Sequence, residues 1–432
     1  MLAARQTAAA LAEAVRPANS PPATSGPLSA DDESLIEDLS RRSFQFFWEH
    51  ADRSSGIVRD RARTDGAPVG GANSDVGSIA ATGFGLTALC IAAEREWVPR
   101  ADAVARARTT VHSFANRIEH HNGWFYHFLD IRTGRRVWQS ELSSIDTALL
   151  LAGVLTVRQC FSNDRALVAD ADAIYRRVDF RWMLAGDRLL LSHGWKPESG
   201  FLHGRWDHYC ELMILYLLAI GSPTHAIPPE AWRAWSRPIT TFAGYRYVGD
   251  ADPLFVHQYS HAWIDFRGWR DTPPPPDDWF QNSVAATRAH KEFCLTLRKE
   301  FPGYQDDIWG VTASDSPKGY VAWGGPPRHP AIDGTVVPCA AAGSLMFVPE
   351  IALPAVREMR RRFGTTIYKR YGFADAFNPN TGWVDSDVIG IDSGITLLSA
   401  ENLRTGRVWE WFMANGEVPA ALRAAGLERQ GR

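Results

Sequence analysis

The sequence lacks an excess of charge of either sign. Its 432 residues include 46 lysines and arginines and 49 aspartates and glutamates, which gives a formal net charge of −3. Proteins that bind nucleic acids gain much of their affinity by neutralising phosphates with basic side chains. We therefore expect no nucleic-acid partner. An apolar fraction of 45% with 22% charged residues also excludes a mostly disordered chain, so the sequence predicts a folded protein with a large core.

Long apolar runs and paired cysteine motifs are also absent. No stretch reaches the length of about 18 consecutive apolar residues that indicates a membrane span, so we expect no membrane association. The five cysteines are scattered singly, without the spacing of a zinc site or a disulfide framework, and we interpret them as free, buried thiols. His257 and His261 have an i, i+4 spacing but no accompanying Glu-x-x-His motif, and we expect neither metal nor cofactor.

The first 28 residues differ from the rest of the chain. Residues 1–19 are rich in alanine, and residues 20–27 read Ser-Pro-Pro-Ala-Thr-Ser-Gly-Pro, which is typical of a linker. The apolar piece over residues 8–11 is too short for the hydrophobic region of a signal peptide. We predict a disordered tail over residues 1–28 and one domain over residues 29–432.

Helical patterning dominates from Ser29 onward and predicts an all-α fold. About twelve helices are expected, with starts near residues 29, 78, 101, 144, 163, 207, 228, 279, 338, 351, 387 and 401. Residues 145–155 and 212–220 are apolar nearly all round, which indicates helices buried on all sides, whereas residues 101–120 are half polar. Alternating inner and outer helices predict a single (α/α)6 toroid. A helical solenoid would need a sequence repeat, and none is visible.

Two segments are predicted to be short β-hairpins, over residues 123–138 and 189–202. Such loops and hairpins gather at one end of a toroid, where a site can form. Six of the 17 tryptophans stand beside a glycine, in loops: Trp124, Trp195, Trp269, Trp309, Trp323 and Trp383. A single Gly-Trp pair is best interpreted as gap filling, but the set favours a carbohydrate cleft, since indole rings stack on sugar rings.

Glu211 is the strongest candidate for a catalytic acid, because it lies at the start of the most apolar predicted helix. Burial without a cation raises a carboxyl pKa, and a protonated acid can protonate a departing sugar oxygen. The alternative is a first-turn glutamate that complements the helix dipole, with Asp207 as the N-cap. Asp146 is either a capping residue paired with Ser143 or an ionised base, and Glu141 would reach the same rim.

Asp392, between two glycines at the start of an apolar helix, is either a site residue or an N-cap. Three further clusters, over residues 257–267, 309–315 and 373–378, mix rings with hydrogen-bonding groups, as sugar-binding walls do. The predicted substrate-binding residues are Trp206, Gln258, Tyr259, Trp263, Asp265, Arg267, Trp309, Asp315, Asp375, Asn378 and Trp383.

At these residues the sequence resembles the glucoamylase-like domain of glycoside hydrolase family 144. Six blocks carry the resemblance in order: residues 78–86, 141–149, 211–225, 257–267, 309–315 and 390–406. The resemblance implies an (α/α)6 toroid that hydrolyses β-1,2-glucan without a cofactor, by an inverting route, and that cleaves internally or releases sophorose. The acidic site residues of the family correspond to Glu141, Asp146, Glu211 and Asp392.

Among these four acids we assign Glu211 as the general acid. Asp392 is our choice of base, acting directly or through a chain, with Asp146 second. The family implies a periplasmic or secreted monomer, although the sequence shows no intact signal peptide and a cytoplasmic location stays open. The alternatives are a transglycosylase or phosphorolytic enzyme on the same glucan, or a non-catalytic glycan-binding protein. Few arginines and lysines near the four acids argue against phosphorolysis.

Overall fold

Helices form most of the regular structure in residues 28–67, 69–272 and 278–430, the part of the chain that the computed structural model describes. The predicted tail lies outside these residues, apart from Leu28. The α-helices are α1 (Ala30–His50), α2 (Ile79–Glu94), α3 (Arg100–Asn116), α4 (Ser144–Cys160), α5 (Arg165–Arg177), α6 (Phe180–Met183), α7 (Met213–Ile220), α8 (Tyr259–Trp263), α9 (Trp279–Thr296), α10 (Pro338–Ala342), α11 (Pro349–Phe363), α12 (Gly390–Arg404), α13 (Arg407–Met413) and α14 (Glu417–Ala424).

The strands are short and pair mostly in twos. They are β1 (Arg61–Arg63), β2 (Val76–Ser78), β3 (His120–His121), β4 (Trp124–Phe125), β5 (Phe128–Asp130), β6 (Leu142–Ser143), β7 (Gly194–Lys196), β8 (Gly200–Phe201), β9 (Ile239–Phe242), β10 (Tyr245–Val248), β11 (Trp269–Asp271), β12 (Ala313–Ser314), β13 (Val321–Ala322), β14 (Tyr368–Lys369), β15 (Gly372–Phe373), β16 (Phe377–Asn378), β17 (Trp383–Val384), β18 (Asp387–Ile389) and β19 (Leu427–Arg429). The predicted hairpin over residues 189–202 is confirmed as β7–β8. The segment over residues 123–138 pairs more widely, β4 with β3 and β5 with β2.

Serine side chains begin several helices, as the sequence predicts. Ser29 and Ser143 each accept a hydrogen bond from the backbone N–H three residues later, at 3.1 and 3.2 Å. Ser78 does the same for α2. Each hydroxyl satisfies one of the N–H groups that a helix leaves without an intrahelical partner at its N-terminus. Local sequence therefore fixes where these helices begin.

Helices with apolar residues all round lie inside, and amphipathic helices pack around them. α2, α4, α7 and α12 are buried along nearly their whole length. α2 packs against both α4 and α12, and α4 packs against α7. α1, α3, α5 and α14 bury one face on these inner helices or on one another. The arrangement is that of an α/α toroid, as the alternation of apolar and amphipathic segments predicts.

The contact between α2 and α4 is close because glycines stand at the crossing. A Cβ atom on Gly153 would lie 2.1 Å from the carbonyl oxygen of Gly83, and a Cβ atom on Gly83 would lie 2.1 Å from that of Leu149. No side chain larger than hydrogen fits at either position without moving a helix. Both glycines therefore set the spacing of two inner helices.

Short strands lead directly into three inner helices and bring their N-terminal ends to one side of the domain. β2 precedes α2, β6 precedes α4 and β18 precedes α12. β18 pairs with β1, β2 with β5, and β6 with β7, so each helix start is tied to a neighbouring loop. Loop side chains are thereby placed over the N-terminal ends of the inner helices.

Some predicted elements differ from those observed. The helix predicted near residue 207 begins only at Met213, and the one predicted near residue 228 is a single 3-10 turn (Pro229–Arg233). The short helices α6 and α8 carry too few residues to show a helical period. The five cysteines are buried and free, as predicted. Among the described residues, no helix is both long enough and apolar enough to cross a membrane.

Candidate active site

A cavity of about 340 Å³ opens at the N-terminal ends of α2, α4 and α12. Its wall combines carboxylates, one arginine, one histidine and several rings. The lining residues are Asp60, Arg61, Ser78, Ala80, His127, Phe128, Trp138, Ile145, Asp146, Leu149, Glu211, Phe255, Tyr259, Tyr320, Ile389 and Ile391. Two of the four predicted acids, Glu211 and Asp146, therefore face the same cavity.

Glu211 lies two residues before α7, on the floor of this cavity. Its backbone oxygen accepts a hydrogen bond of 2.8 Å from Ser260 Oγ, which fixes the turn before the helix. Burial raises the pKa of its carboxyl to about 7, and the negative charges of Asp146 and Asp252 add to the effect. No ion pair forms between Glu211 and a basic side chain of the described residues. The group is thus able to hold a proton near neutral pH, as its sequence context predicts.

His127 joins Asp146, which lines the cavity, to Glu141, which does not. Its Nδ1 lies 3.0 Å from Glu141 Oε1, and its Nε2 lies 3.5 Å from Asp146 Oδ1. Burial disfavours the charged ring, but the charges of Asp146 and Glu141 outweigh burial and raise the pKa of His127 to about 9. The hydrogen bond from His127 lowers the pKa of Glu141 to about 2. A histidinium between two carboxylates is therefore the charge state at neutral pH.

Asp146 takes part in the cap of α4 and also lines the cavity, and its role as a base stays a prediction. Its backbone N–H donates to Ser143 Oγ, which is the capping contact of α4, and its carboxylate accepts a hydrogen bond from the same hydroxyl at 2.5 Å. The carboxylate also lines the cavity. Capping therefore does not remove Asp146 from the site, but positions it there.

The opposite wall carries a second cluster of charges. Arg61 forms ion pairs of 3.2 Å with Asp60 and 2.6 Å with Asp315. The backbone oxygen of Asp60 accepts a hydrogen bond from the N–H of Gly390, which ties this loop to the start of α12. Burial raises the pKa of Asp60 in spite of Arg61. The predicted Asp315 is thus held at the cavity edge by Arg61.

Asp392 lies in the first turn of α12, behind this wall. Its neighbours Ile389 and Ile391 line the cavity, whereas Asp392 is 8% exposed and lines a second, smaller cavity. Burial raises its pKa, and hydrogen bonds from Asp375 and Cys339 oppose the rise. Asp392 therefore does not line the cleft itself, but lies behind the part of its wall that Ile389 and Ile391 form.

Three carboxylates near this wall could hold a metal ion, because their oxygens lie within 4.8 Å of one another: Asp315, Asp375 and Asp385. Arg61 already neutralises Asp315. Burial raises the pKa of Asp385 to about 6, with the charge of Asp315 adding to the effect. An acidic group without further oxygen ligands is a weak metal site.

Four predicted substrate-binding residues are instead parts of the core: Gln258, Trp263, Trp309 and Asn378 are at most 2% exposed. The Gln258 amide donates to Ala340 O and Ser344 Oγ, and Trp263 Nε1 donates to Thr87 Oγ1. None of the four lines the cavity, so the structure does not bring them to the cleft, and sugar binding by them stays a prediction. Gln258 Oε1 and Trp309 Nε1 have no hydrogen-bond partner among the described residues. Asp375 is equally buried, at 3% exposed.

Asp265 and Arg267 also lie away from the cavity, and sugar binding by them stays a prediction. They pair with each other at 2.8 Å, and the guanidinium of Arg267 lies 3.9 Å from the ring centre of Trp409 on α13. This contact lies beyond the C-terminal end of α12, whereas the cavity lies at its N-terminal end. Since a helix rises about 1.5 Å per residue, the two ends of α12 are about 20 Å apart.

The remaining predicted residues border the cleft or stand clear of it. Tyr259 lines the cavity. Trp206 is half-buried and donates from Nε1 to Ser144 Oγ at 2.8 Å, beside the start of α4. Trp383 is half-buried on β17, opposite Asn378, and does not line the cavity. Of the six tryptophans beside glycine, Trp124, Trp269, Trp309 and Trp323 are at most 3% exposed, so they fill the core.

The cavity residues that were not predicted include three charged or titratable groups and two exposed rings: Asp60, Arg61, His127, Trp138 and Tyr320. Trp138 and Tyr320 are 51% and 55% exposed, and such large exposed rings in a concave site are typical of sugar-binding surfaces. Both lie in loops close to predicted blocks. The sequence offered no signal that separates them from the buried rings.

Comparisons with known proteins agree with this geometry. Residues 203–416 match the family model described as "Putative glucoamylase". An exo beta-1,2-glucooligosaccharide sophorohydrolase (non-reducing end) of Parabacteroides distasonis is 26% identical over 93% of this chain, which spans 58% of that relative's length. The endo-beta-1,2-glucanase structure from Chitinophaga pinensis is 29% identical, with a TM-score of 0.85 over 92% of this chain and 98% of that chain.

A third relative is the beta-1,2-glucanase structure from Parabacteroides distasonis, which is 26% identical with a TM-score of 0.83 over 92% of this chain and 60% of that chain. The fold is that of an α/α toroid with a carboxylate-lined cleft, as the similarity to the Chitinophaga pinensis structure supports. The chain is similar to glucoamylase-like proteins, and the solved structures that it resembles include β-1,2-glucanases. The resemblance found in the six ordered sequence blocks is thereby confirmed.

Proposed function

We propose that this chain hydrolyses β-1,2-linked glucan. The observation that carries the proposal is Glu211, a carboxyl with a pKa of about 7 on the floor of a cleft that also presents Asp146 and exposed rings. Relatives at 26–29% identity over more than nine-tenths of this chain are named as β-1,2-glucan hydrolases. Charged groups of the cleft wall are paired with each other, as Arg61 is with Asp60 and His127 with Asp146. Such a wall suits an uncharged polysaccharide.

In the proposed reaction, Glu211 donates its proton to the departing glycosidic oxygen. The oxygen of a water molecule bonds to the anomeric carbon from the opposite face, and Asp392 takes the proton of that water, directly or through a chain that starts at the cavity. This sequence inverts the anomeric carbon. In this proposal Asp146 accepts hydrogen bonds from sugar hydroxyls, with Glu141 held next to it by His127, and Asp146 is the second candidate for the base.

The decisive experiment is product analysis on linear β-1,2-glucan. We expect short sophorooligosaccharides with inverted anomeric configuration, followed by optical rotation. Their size distribution separates internal cleavage from stepwise release of sophorose. Adding inorganic phosphate should leave the products unchanged, since phosphorolysis would yield sugar phosphates. Sugar binding without new reducing ends would contradict the proposal and support a non-catalytic protein.

Glu211→Gln gives the matching test of mechanism. We expect the loss of about 10²–10⁴-fold in kcat that removal of a general acid produces, with an unchanged melting temperature. Glu230→Gln is the control, because Glu230 is exposed on the 3-10 turn before Trp232. Since the acid must be protonated, wild-type kcat/KM should fall above about pH 7, the pKa raised by burial of Glu211.

We further propose that the toroid consists of six inner and six outer helices, and that the protein acts as a monomer outside the cytoplasm. A polysaccharide substrate and the family resemblance support this location. Size-exclusion chromatography with light scattering tests the oligomeric state. Fractionation of the source cells tests the location.

A further inference from the structure

The second cavity lies behind the cleft wall and holds two acids side by side. Its volume is about 20 Å³, which is room for about one water molecule. Asp375 and Asp392 both line it, and they are 3% and 8% exposed. Its other lining residues with polar groups are Ser43, Cys339, Tyr371, Ser393 and Thr396.

The hydrogen bonds of Asp375 leave one oxygen free for its neighbour. Oδ2 accepts a hydrogen bond of 2.7 Å from the backbone N–H of Asp315. Oδ1 receives no N–H or O–H from any described residue. The side chains of Asp375 and Asp392 are within hydrogen-bonding reach of each other. Two carboxylates are both acceptors, so this contact needs a proton between them.

Charge around the pair favours retention of that proton. Burial and the charge of Asp392 raise the pKa of Asp375 well above its usual range. Arg61, on the cavity wall, is already engaged by Asp60 and Asp315. The other titratable groups that face the pair from neighbouring elements carry no positive charge: Cys339, Tyr259, Tyr320, Tyr371, Asp60, Asp315 and Asp385. Two adjacent buried acids in such surroundings do not both ionise near neutral pH.

We propose that Asp375 carries the shared proton and donates it in a hydrogen bond to the Asp392 carboxylate, so that Asp375 is a positioning residue that keeps Asp392 ionised as the base. Asp375 is the more buried of the two, and the Cys339 thiol gives Asp392 a second donor. The inference rests on the proposed function. During hydrolysis the water proton passes to Asp392 and the Glu211 proton to the departing oxygen, while the shared proton stays on Asp375.

Substitution of Asp375 by asparagine or alanine tests this role. In Asp375→Asn the amide oxygen can still accept from the Asp315 N–H, and the amide nitrogen can donate to Asp392 as the protonated acid does. We expect kcat/KM within about tenfold of wild type. Asp375→Ala removes the donor that stabilises ionised Asp392, so the acidic limb of the kcat/KM profile should move up by about one pH unit. Asp392→Asn should abolish turnover.

Several outcomes would overturn the inference. If Asp375 is ionised in the active enzyme, Asp375→Asn should be as inactive as Asp392→Asn. If Asp375 only supports packing, both variants should lose melting temperature and activity together, without a shift of the acidic limb. A wild-type protein that releases no reducing ends from β-1,2-glucan contradicts the proposed function instead, which separates the two failures.

Infrared spectroscopy reports the proton without turnover. At about pH 9, Glu211 and Asp385, with pKa values of about 7 and 6, are ionised. We expect a carboxylic-acid C=O band to persist at this pH in wild type, and to be missing in Asp375→Asn. Asp385→Asn is the matched control and should keep the band. A wild-type spectrum without the band at this pH overturns the inference.

Discussion

The Nδ1 atom of His127 lies 3.0 Å from Oε1 of Glu141, and this contact joins the loop between β4 and β5 to the segment that leads into α4. The same ring reaches Asp146 through Nε2 at 3.5 Å. One cation thus fixes the relative positions of two acids that the sequence places five residues apart. The stacked ring of Phe128, 3.9 Å from that of His127, limits its rotation.

We expect His127→Gln to destabilise the protein in a pH-dependent way. The pKa of His127 is raised from 6.5 to about 9, so its contribution is complete below pH 6.5 and is lost as the pH rises through 9. The pKa of Glu141 is lowered from 4.5 to about 2, so its contribution is lost as the pH falls toward 2. The difference in free energy of unfolding between wild type and variant should therefore be largest between these windows, at about pH 4.5–6.5.

Urea unfolding across this pH range measures the difference. His203→Gln is the control, since His203 is exposed. A difference that is constant from acid to alkaline pH would show that the His127 ring acts through packing rather than through charge.

The exposed ring of Trp138 provides a test of sugar contact. Trp138→Ala should lower kcat/KM about tenfold, because it removes a stacking surface worth about 1.4 kcal/mol, with little change in melting temperature. Trp309→Ala should instead lower the free energy of unfolding by about 3–5 kcal/mol, because it leaves a cavity in the core. Quenching of Trp fluorescence by sophorose should weaken in the first variant only. Equal stability losses in the two variants would contradict the distinction.

The sequence predicted where most helices begin, but it did not predict most of the aromatic rings that line the cleft. One physical reason explains both outcomes. Helix starts depend on local signals such as Ser78 and Ser143, which bond the N–H groups three residues later. A glycine beside a tryptophan is also a local signal, but it indicates close packing of the backbone rather than an exposed ring. Gly310 has φ 134°, and a Cβ there would lie 3.0 Å from Val337 O, so the turn directs Trp309 into the core.

The charged residues of the cleft likewise divide into those that local sequence can predict and those that it cannot. The burial of Glu211 could be predicted because the helix that begins two residues later, α7, is apolar all round, and this burial raises the pKa of Glu211. Asp60 and Arg61 could not, because their place in the cleft depends on the pairing of Arg61 with Ile389 in β1 and β18. That pairing joins segments more than 300 residues apart, and no local pattern encodes it. His127 likewise gains its role from two acids on another segment.

Because α2 and α4 cross closely, we expect an alanine at the crossing to destabilise the protein in spite of its higher helix propensity. Gly153→Ala should gain helix propensity, worth about 0.5–1 kcal/mol, but its Cβ would lie 2.1 Å from Gly83 O. We expect the clash to dominate and to lower the free energy of unfolding by about 1–3 kcal/mol, as overpacking does. Gly416→Ala is the control, because no atom lies within 4 Å of its Cβ position, and its effect should stay within about 0.5 kcal/mol. A stabilised Gly153→Ala would contradict the close contact.

Buried histidines should make the protein sensitive to acid. Burial lowers the pKa of His261 and His290 to about 3, so the unfolded chain binds more protons than the folded chain between pH 3 and the ordinary value of 6.5. Stability should therefore fall as the pH drops through this window.

His290→Met is informative, because neither ring nitrogen of His290 has a hydrogen-bond partner among the described residues. At neutral pH the variant should gain about 1–3 kcal/mol, the penalty of an unsatisfied buried polar group, and its stability should fall less steeply toward acid. Thermal unfolding from pH 7 to pH 4 measures both effects, with exposed His203→Met as the control. An unchanged slope in His290→Met would show that this ring does not contribute to acid unfolding.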